Sequence, residues 1–162
     1  MDDFGSPALR RLREVFGEAL RATHAQCGDA TAQVEAGRIV EILRFLRDEP
    51  GLEFDMLSDL TAVDYLGRAP RFEVVYHLYS VGRNQRVRIK AAVPETPCQI
   101  DSVVDVWPVA NWMEREVWDL YGIRFRNHPD LRRILLYEEF EGHPLRKDYP
   151  KERRQPLVGP RN

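Results

Sequence analysis

Residues 72–93 constrain this chain more than any other stretch, because they read as a β-hairpin that everything else must pack against. The segment 72–81 is apolar and aromatic on both faces, as a strand inside a sheet is. Residues 86–93 alternate, with Val87, Ile89, Ala91 and Val93 on one side and Arg86, Arg88 and Lys90 on the other. Gly82-Arg83-Asn84 supplies the turn between them. Further strands are expected over 30–35 and 54–63. Ser6-Pro7 is an N-cap followed by proline at the first helical position, and Leu9, Leu12, Phe16 and Leu20 recur at helical spacing. That predicts a helix over 7–22. Ile39, Ile42, Leu43 and Leu46 predict a second, closed by Pro50-Gly51. Two helical pieces are expected over 101–107 and 110–121, separated by Pro108, the second ending at Gly122 as its C′ residue. The sum is an α+β domain over 1–125, a small mixed or antiparallel sheet packed with helices.

Beyond that point periodicity dissolves. The last 34 residues hold five of the eleven prolines and no long periodic segment, so 126–162 reads as an extended C-terminal tail. Charge divides along nearly the same line: residues 122–162 carry ten basic and six acidic side chains, whereas 1–121 are net −6. Only three of the 24 basic residues are lysines, a bias compatible with forked arginine–carboxylate contacts to protein partners.

Most catalytic chemistries are excluded by counting. No two glycines lie closer than nine residues, so no dinucleotide loop, P-loop or nucleophile elbow can be built. Cys27 and Cys98 are too few for a four-thiolate iron–sulfur site, and two thiols suit a reducing compartment better than a disulfide framework. His24 and Cys27 share a ligand-like spacing with no second pair nearby in the sequence. His128 and His143 each precede proline, where imidazole often bonds backbone, and His77 is expected as a satisfied core residue. No metal site is therefore expected. The start Met1-Asp2-Asp3 is acidic, against a signal or transit peptide, and no apolar run approaches a membrane span. The basic group Arg146, Lys147, Lys151, Arg153 and Arg154 is interleaved with Asp148 and Glu152 in an acidic protein, so nucleic acid is not an expected partner.

The richest cluster is Glu114-Arg115-Glu116-Val117-Trp118-Asp119. On a helix Glu116 and Asp119 are i,i+3 neighbours and Arg115 can reach Asp119 at i,i+4. Three readings stand open: an acid–base pair, a solvated salt-bridged face, and a docking face for an arginine-bearing partner flanked by Trp112 and Trp118.

Glu114-Arg115-Glu116, two residues, then Asp119-Leu120-Tyr121, followed by His128-Pro129-Asp130-Leu131-Arg132-Arg133-Ile134-Leu135 and Glu141-Gly142-His143-Pro144-Leu145-Arg146-Lys147-Asp148-Tyr149-Pro150, resemble the 30 kDa (C-type) subunit family of the proton-pumping NADH:quinone oxidoreductase, respiratory complex I. Asp59-Leu60-Thr61-Ala62-Val63-Asp64-Tyr65 and Asn111-Trp112 are also similar, so the resemblance covers about 54–150. It implies a structural subunit of the peripheral arm, on the cytoplasmic face of the bacterial cell membrane and attached to that membrane only through the complex. Its neighbours would be chiefly the quinone-site (D-type) subunit, with the cluster-bearing B-type and I-type subunits nearby. The chain itself would hold no cofactor and no catalytic group. FMN and Fe–S centres held by other subunits would carry electrons from NADH to quinone, coupled to proton translocation. The equivalent subunit of a membrane-bound nickel–iron hydrogenase is the alternative. The resemblance also implies a subunit interface built from Glu114, Arg115, Glu116, Asp119, His128, Arg132, Arg133, His143, Arg146, Lys147, Asp148 and Tyr149. The chain stops soon after Pro150, whereas some members continue.

Energetics add one expectation. Ordering backbone costs roughly 1–2 kcal/mol per residue, and the tail has no periodic apolar face to offset that on its own domain. Its spaced anchors Ile134, Leu135, Leu136, Tyr137, Phe140, Leu145 and Tyr149 would then be buried against a partner. Residues from about 126 are expected to be mobile alone and ordered only against the quinone-site subunit.

Overall fold

The computed structural model describes residues 5–155. The end of the predicted tail, 156–162, and the acidic start lie outside the described residues. The chain runs α1 (Pro7–Phe16), β1 (Leu20–His24), β2 (Thr31–Val34), α2 (Ile39–Asp48), β3 (Met56–Asp64), β4 (Phe72–Ser80), β5 (Gln85–Val93), β6 (Gln99–Asp101), α3 (Ala110–Tyr121) and β7 (Arg124–Arg126). The expected hairpin is the centre of a five-stranded sheet of order β1-β2-β5-β4-β3, antiparallel except for β2 beside β5. The fold is α+β with a mixed sheet.

Parity explains what faces inward. Phe72, Val74, Tyr76 and Leu78 of β4 and Val87, Ile89, Ala91 and Val93 of β5 join Leu9, Leu12, Ile42, Leu43, Val117 and Phe125 in one buried cluster. In β3 a bulge between Leu57 and Asp59 resets the register, so that Leu57 and Leu60, three residues apart, both face the core. The same parity carries Ala62 and then Asp64 inward. The opposite sheet face is polar, with Glu73 paired to Lys90 at 2.8 Å. His77 lies there half-buried rather than in the core, because it falls on the parity of Glu73 and not of Tyr76.

Two predicted elements are corrected. The first helix ends at Phe16 rather than 22. A short 3-10 turn over Gly17–Ala19 follows, and Leu20, buried as the helical spacing required, opens β1 instead. Residues 101–107 are not helical: Gln99–Asp101 form β6, which pairs in parallel with β7, and the Val103 carbonyl then accepts from the N–H groups of Val106 and Trp107 in a turn. Strands of three residues are too short to leave a periodic signal. No described helix is long and apolar enough to cross a membrane.

Candidate functional site

Helix α3 carries two carboxylates on its buried side, and each organises a different piece of chain. Glu114 is fully buried; it accepts from the Ser102 hydroxyl at 2.6 Å and the Val103 N–H at 2.7 Å, fixing the exit of β6 against the helix. Burial pushes its carboxyl up to about 7, against the pull of those two donors. The His128 imidazole, also enclosed, lies 4.0 Å from Glu114. His128 Nδ1 accepts the Asp130 N–H at 3.0 Å, which leaves Nε2–H to donate to the Asn111 carbonyl at 3.0 Å.

Asp119 is the second carboxylate, and it too has no exposed surface. One oxygen takes the Arg133 guanidinium at 2.6 Å. The other accepts three consecutive backbone N–H groups, from Ile134 at 3.1 Å and from Leu135 and Leu136 at 2.9 Å each. Burial opposes ionisation here, but the Leu136 N–H, Arg133 and the other two amides outweigh it and hold the carboxyl below its usual range. Arg133 continues to the Phe140 carbonyl at 2.7 Å and lies between the Trp118 and Phe140 rings.

The segment after β7 therefore runs along α3 in the same direction as the helix. His128 meets Asn111, Arg115 donates to the carbonyls of Arg132 and Arg133, and residues 134–136 reach Asp119. It then closes the helix end. The last carbonyls of a helix lack intrahelical partners. Here the Trp118 carbonyl accepts the Gly122 N–H, and the next three are taken by His143 Nδ1 at 2.9 Å, the Leu145 N–H at 3.0 Å and Arg146 Nε at 2.5 Å. Gly122 has φ +74, and a Cβ there would lie 2.5 Å from the His143 ring, so glycine is needed for conformation and for space.

A separate clasp holds the far end. Arg71, 3% exposed, binds both oxygens of buried Asp64 at 2.9 Å, then Asp148 at 2.7 and 3.0 Å and Glu95 at 2.5 Å. The Lys147 N–H also donates to Asp64 at 2.8 Å. The Arg71 side chain, opposed by burial and aided by the Lys147 N–H, holds Asp64 below the usual carboxylate range. Tyr149 stacks on Phe140, beside the Tyr137 ring.

The twelve residues singled out in the sequence thus divide. Glu114 and Asp119 are enclosed by their own chain and have no surface for a partner, which corrects their expected place on an exposed face. Arg115 does not pair with Asp119; Arg133, fourteen residues on, takes that position, so the arginine-bearing partner of the helix is intramolecular. Arg133, His143, Arg146 and Asp148 bind their own domain. Glu116, Arg132 and Lys147 point outward. His128 and His143 bond backbone, as their place before proline suggested. Sequence reasoning missed Arg71, Glu95 and Ser102 as functional positions. Asp64 at an inward strand position was the available signal for Arg71, since a buried carboxylate demands a cation. Among the described residues no group of three or more His, Cys, Asp or Glu side chains could hold a metal ion.

Comparison with known proteins places these residues in a family setting. Residues 32–155 match the family described as the 30 kDa subunit of respiratory-chain NADH dehydrogenase. The chain is 49% identical over 154 residues to the C-type subunit of NADH-quinone oxidoreductase from Geotalea uraniireducens, covering 94% of this chain and 93% of that one. It is 50% identical over 155 residues to its counterpart from Geobacter metallireducens, covering 94% of each. Among solved structures it resembles a trypsin-resistant fragment of Nqo5, with TM-score 0.67 and 32% identity over 75% of this chain and 97% of that one. It shares a fold with a chain of the membrane-bound sulfane sulfur reductase, an archaeal respiratory complex, with TM-score 0.75 and 23% identity, covering 88% of this chain and 83% of that one.

Proposed function

Because the chain belongs to the family of the 30 kDa subunit of respiratory-chain NADH dehydrogenase, we propose that it works as a cofactor-free scaffold that lets sister subunits of the NADH-quinone oxidoreductase assemble. It is a subunit of that complex, and the enzymatic activity is the complex's. FMN and Fe–S clusters are carried by other subunits. The hydrogenase alternative gives way, since relatives at about half identity are named as subunits of the quinone-reducing enzyme.

The observation that carries the scaffold reading is the enclosure of Glu114 and Asp119. These are the carboxylates of the signature cluster, both without solvent contact and both bonded to their own chain. A general acid or base must reach a substrate atom. Carboxylates whose oxygens face Ser102, Val103, Arg133 and the amides of 134–136 serve geometry instead. The partner-facing surface is then what the docked segment leaves outside: Trp112 at 68% and Leu135 at 61% exposure, together with the exposed Glu116, Arg132 and, at the far clasp, Lys147. Aromatic and arginine side chains on such a surface are the usual anchors of protein interfaces. The quinone-site (D-type) subunit is the proposed chief partner, with the B-type and I-type subunits nearby, on the cytoplasmic face of the membrane. The segments 1–125 and 126–162 are the proposed division between body and partner-contacting tail.

Purification through a tag on this chain tests the reading. Sister subunits are expected to co-purify with the wild type and to be depleted by Trp112→Glu or Leu135→Asp, with turnover per assembled complex unchanged. Full assembly with abolished turnover would overturn it.

A further inference from the structure

The segment after β7 was expected to find its anchors on another subunit, yet the described part of it is bonded to its own domain at two separate places. At the first, Asp119 gathers Arg133 and three consecutive amides, and residues 143–146 fill the last carbonyls of α3. At the second, Arg71 and Asp64 hold Asp148 and the Lys147 amide. We infer that residues 128–149 are seated on their own domain before any partner arrives, with Asp119 as the residue that seats them, so that α3 and this segment reach the complex as one preformed surface. This inference rests on the assembly reading above and states how the partner surface is made.

Three features argue for seating within the chain. The bonds to Asp119 and Arg71 are charge-assisted and those around Asp119 are enclosed, the class of hydrogen bond that is strongest and most costly to leave half-made. An unseated segment would take from Asp119 on α3 its arginine and three amides, and from Asp64 on β3, which keeps Arg71, the bond from the Lys147 N–H. The helix end also depends on it, because the carbonyls of Asp119, Leu120 and Tyr121 find their partners in Arg133 and in residues 143–146. Finally, the segment from 122 onward is net basic and the body it lies on is net acidic, so long-range attraction favours the same arrangement. A partner then meets Trp112 and Leu135 already positioned, and the entropy of ordering the segment does not fall on the binding step.

Asp119 is a positioning residue, and amide hydrogen exchange on the isolated full chain tests the inference. The amides of Ile134, Leu135, Leu136 and Leu145 are expected to exchange at least about a hundredfold slower than in an unstructured peptide. In Asp119→Ala that protection is expected to vanish, while the amides of Tyr76 and Ile89 in the central hairpin keep theirs. Should Asp119→Ala fail to fold, Arg133→Gln leaves the carboxylate and its amides in place; it is expected to speed exchange at 134–136 about tenfold. Free-chain exchange at 134–136 in the folded wild type would overturn the inference. So would unchanged protection in both variants. Normal co-purification of sister subunits beside a freely exchanging segment would sink this inference alone and leave the assembly reading standing.

Discussion

Replacing Glu114 with glutamine should remove a defined part of the pH dependence of stability. The carboxyl is fully enclosed and its value is pushed from 4.5 to about 7 by burial. A raised value means that the folded state prefers the neutral acid. Below pH 4.5 both folded and unfolded forms are protonated and Glu114 makes no difference. As pH rises toward 7 the unfolded chain ionises while the folded one keeps its proton, so stability falls, and above 7 the loss levels off. The difference of about 2.5 pH units corresponds to about 3 kcal/mol at full development. Glutamine keeps the shape: its carbonyl can accept the Val103 N–H and its amide can donate to Ser102 Oγ, with no charge to desolvate. His77 and His143, both lowered by burial, titrate in the same window with the opposite sign, but they are common to both proteins. Urea unfolding of wild type and Glu114→Gln at pH 5, 6, 7 and 8 isolates the difference. The variant should gain about 2.5 kcal/mol relative to wild type between pH 5 and 8, since part of the difference is already present at pH 5. Two curves that stay parallel across that range would show that Glu114 is not held neutral, and the account of the enclosed carboxylate would be wrong.

Asp119→Ala leaves three amides without an acceptor and Arg133 without its carboxylate; a loss of about 3–5 kcal/mol in denaturant unfolding is expected, with Asp119→Asn intermediate. Arg71→Met strands Asp64, buried at the end of β3, and should cost a similar amount, of order 3–5 kcal/mol, at pH 7. Because Asp64 and Asp148 are held low by Arg71, the cost should shrink as pH falls through the carboxylate range, and Arg71→Lys should not restore stability since one ammonium cannot reproduce the paired bonds to Asp64 together with those to Asp148 and Glu95. Gly122→Ala combines φ +74 with a clash against His143; thermal melting should report a loss of about 1–2 kcal/mol or more, with the His143 contact to the Asp119 carbonyl broken.

The central hairpin, α2, α3 and the closing glycine were legible in the sequence because each rests on a local signal: alternation, helical spacing, or a residue suited to positive φ. Leu20 shows the limit of that logic. Its spacing from Phe16 is helical, and its burial is real, yet a 3-10 turn at Gly17–Ala19 places it in a strand that faces the same core. The cluster around Asp119 was visible as a cluster but not as a structure. Residues fourteen to seventeen positions downstream satisfy it, and no periodicity relates a helix to backbone amides in an aperiodic segment. The Arg71 clasp was further out of reach, since it joins positions 7, 24 and 77 residues apart.

The closure of α3 by residues 143–146 also sets an order of events during synthesis. A helix capped by neighbouring residues is finished as soon as it is made. This one must wait for 22 or more further residues before its final carbonyls and Asp119 have all their partners. At about 5–20 residues per second that interval is of the order of seconds, long beside the microseconds in which a helix forms. During it the nascent domain displays an unpaired carboxylate and a frayed helix end on the side where its own continuation must land. Truncation before His143 would leave α3 closed by Gly122 alone, with the carbonyls of Leu120 and Tyr121 open to water.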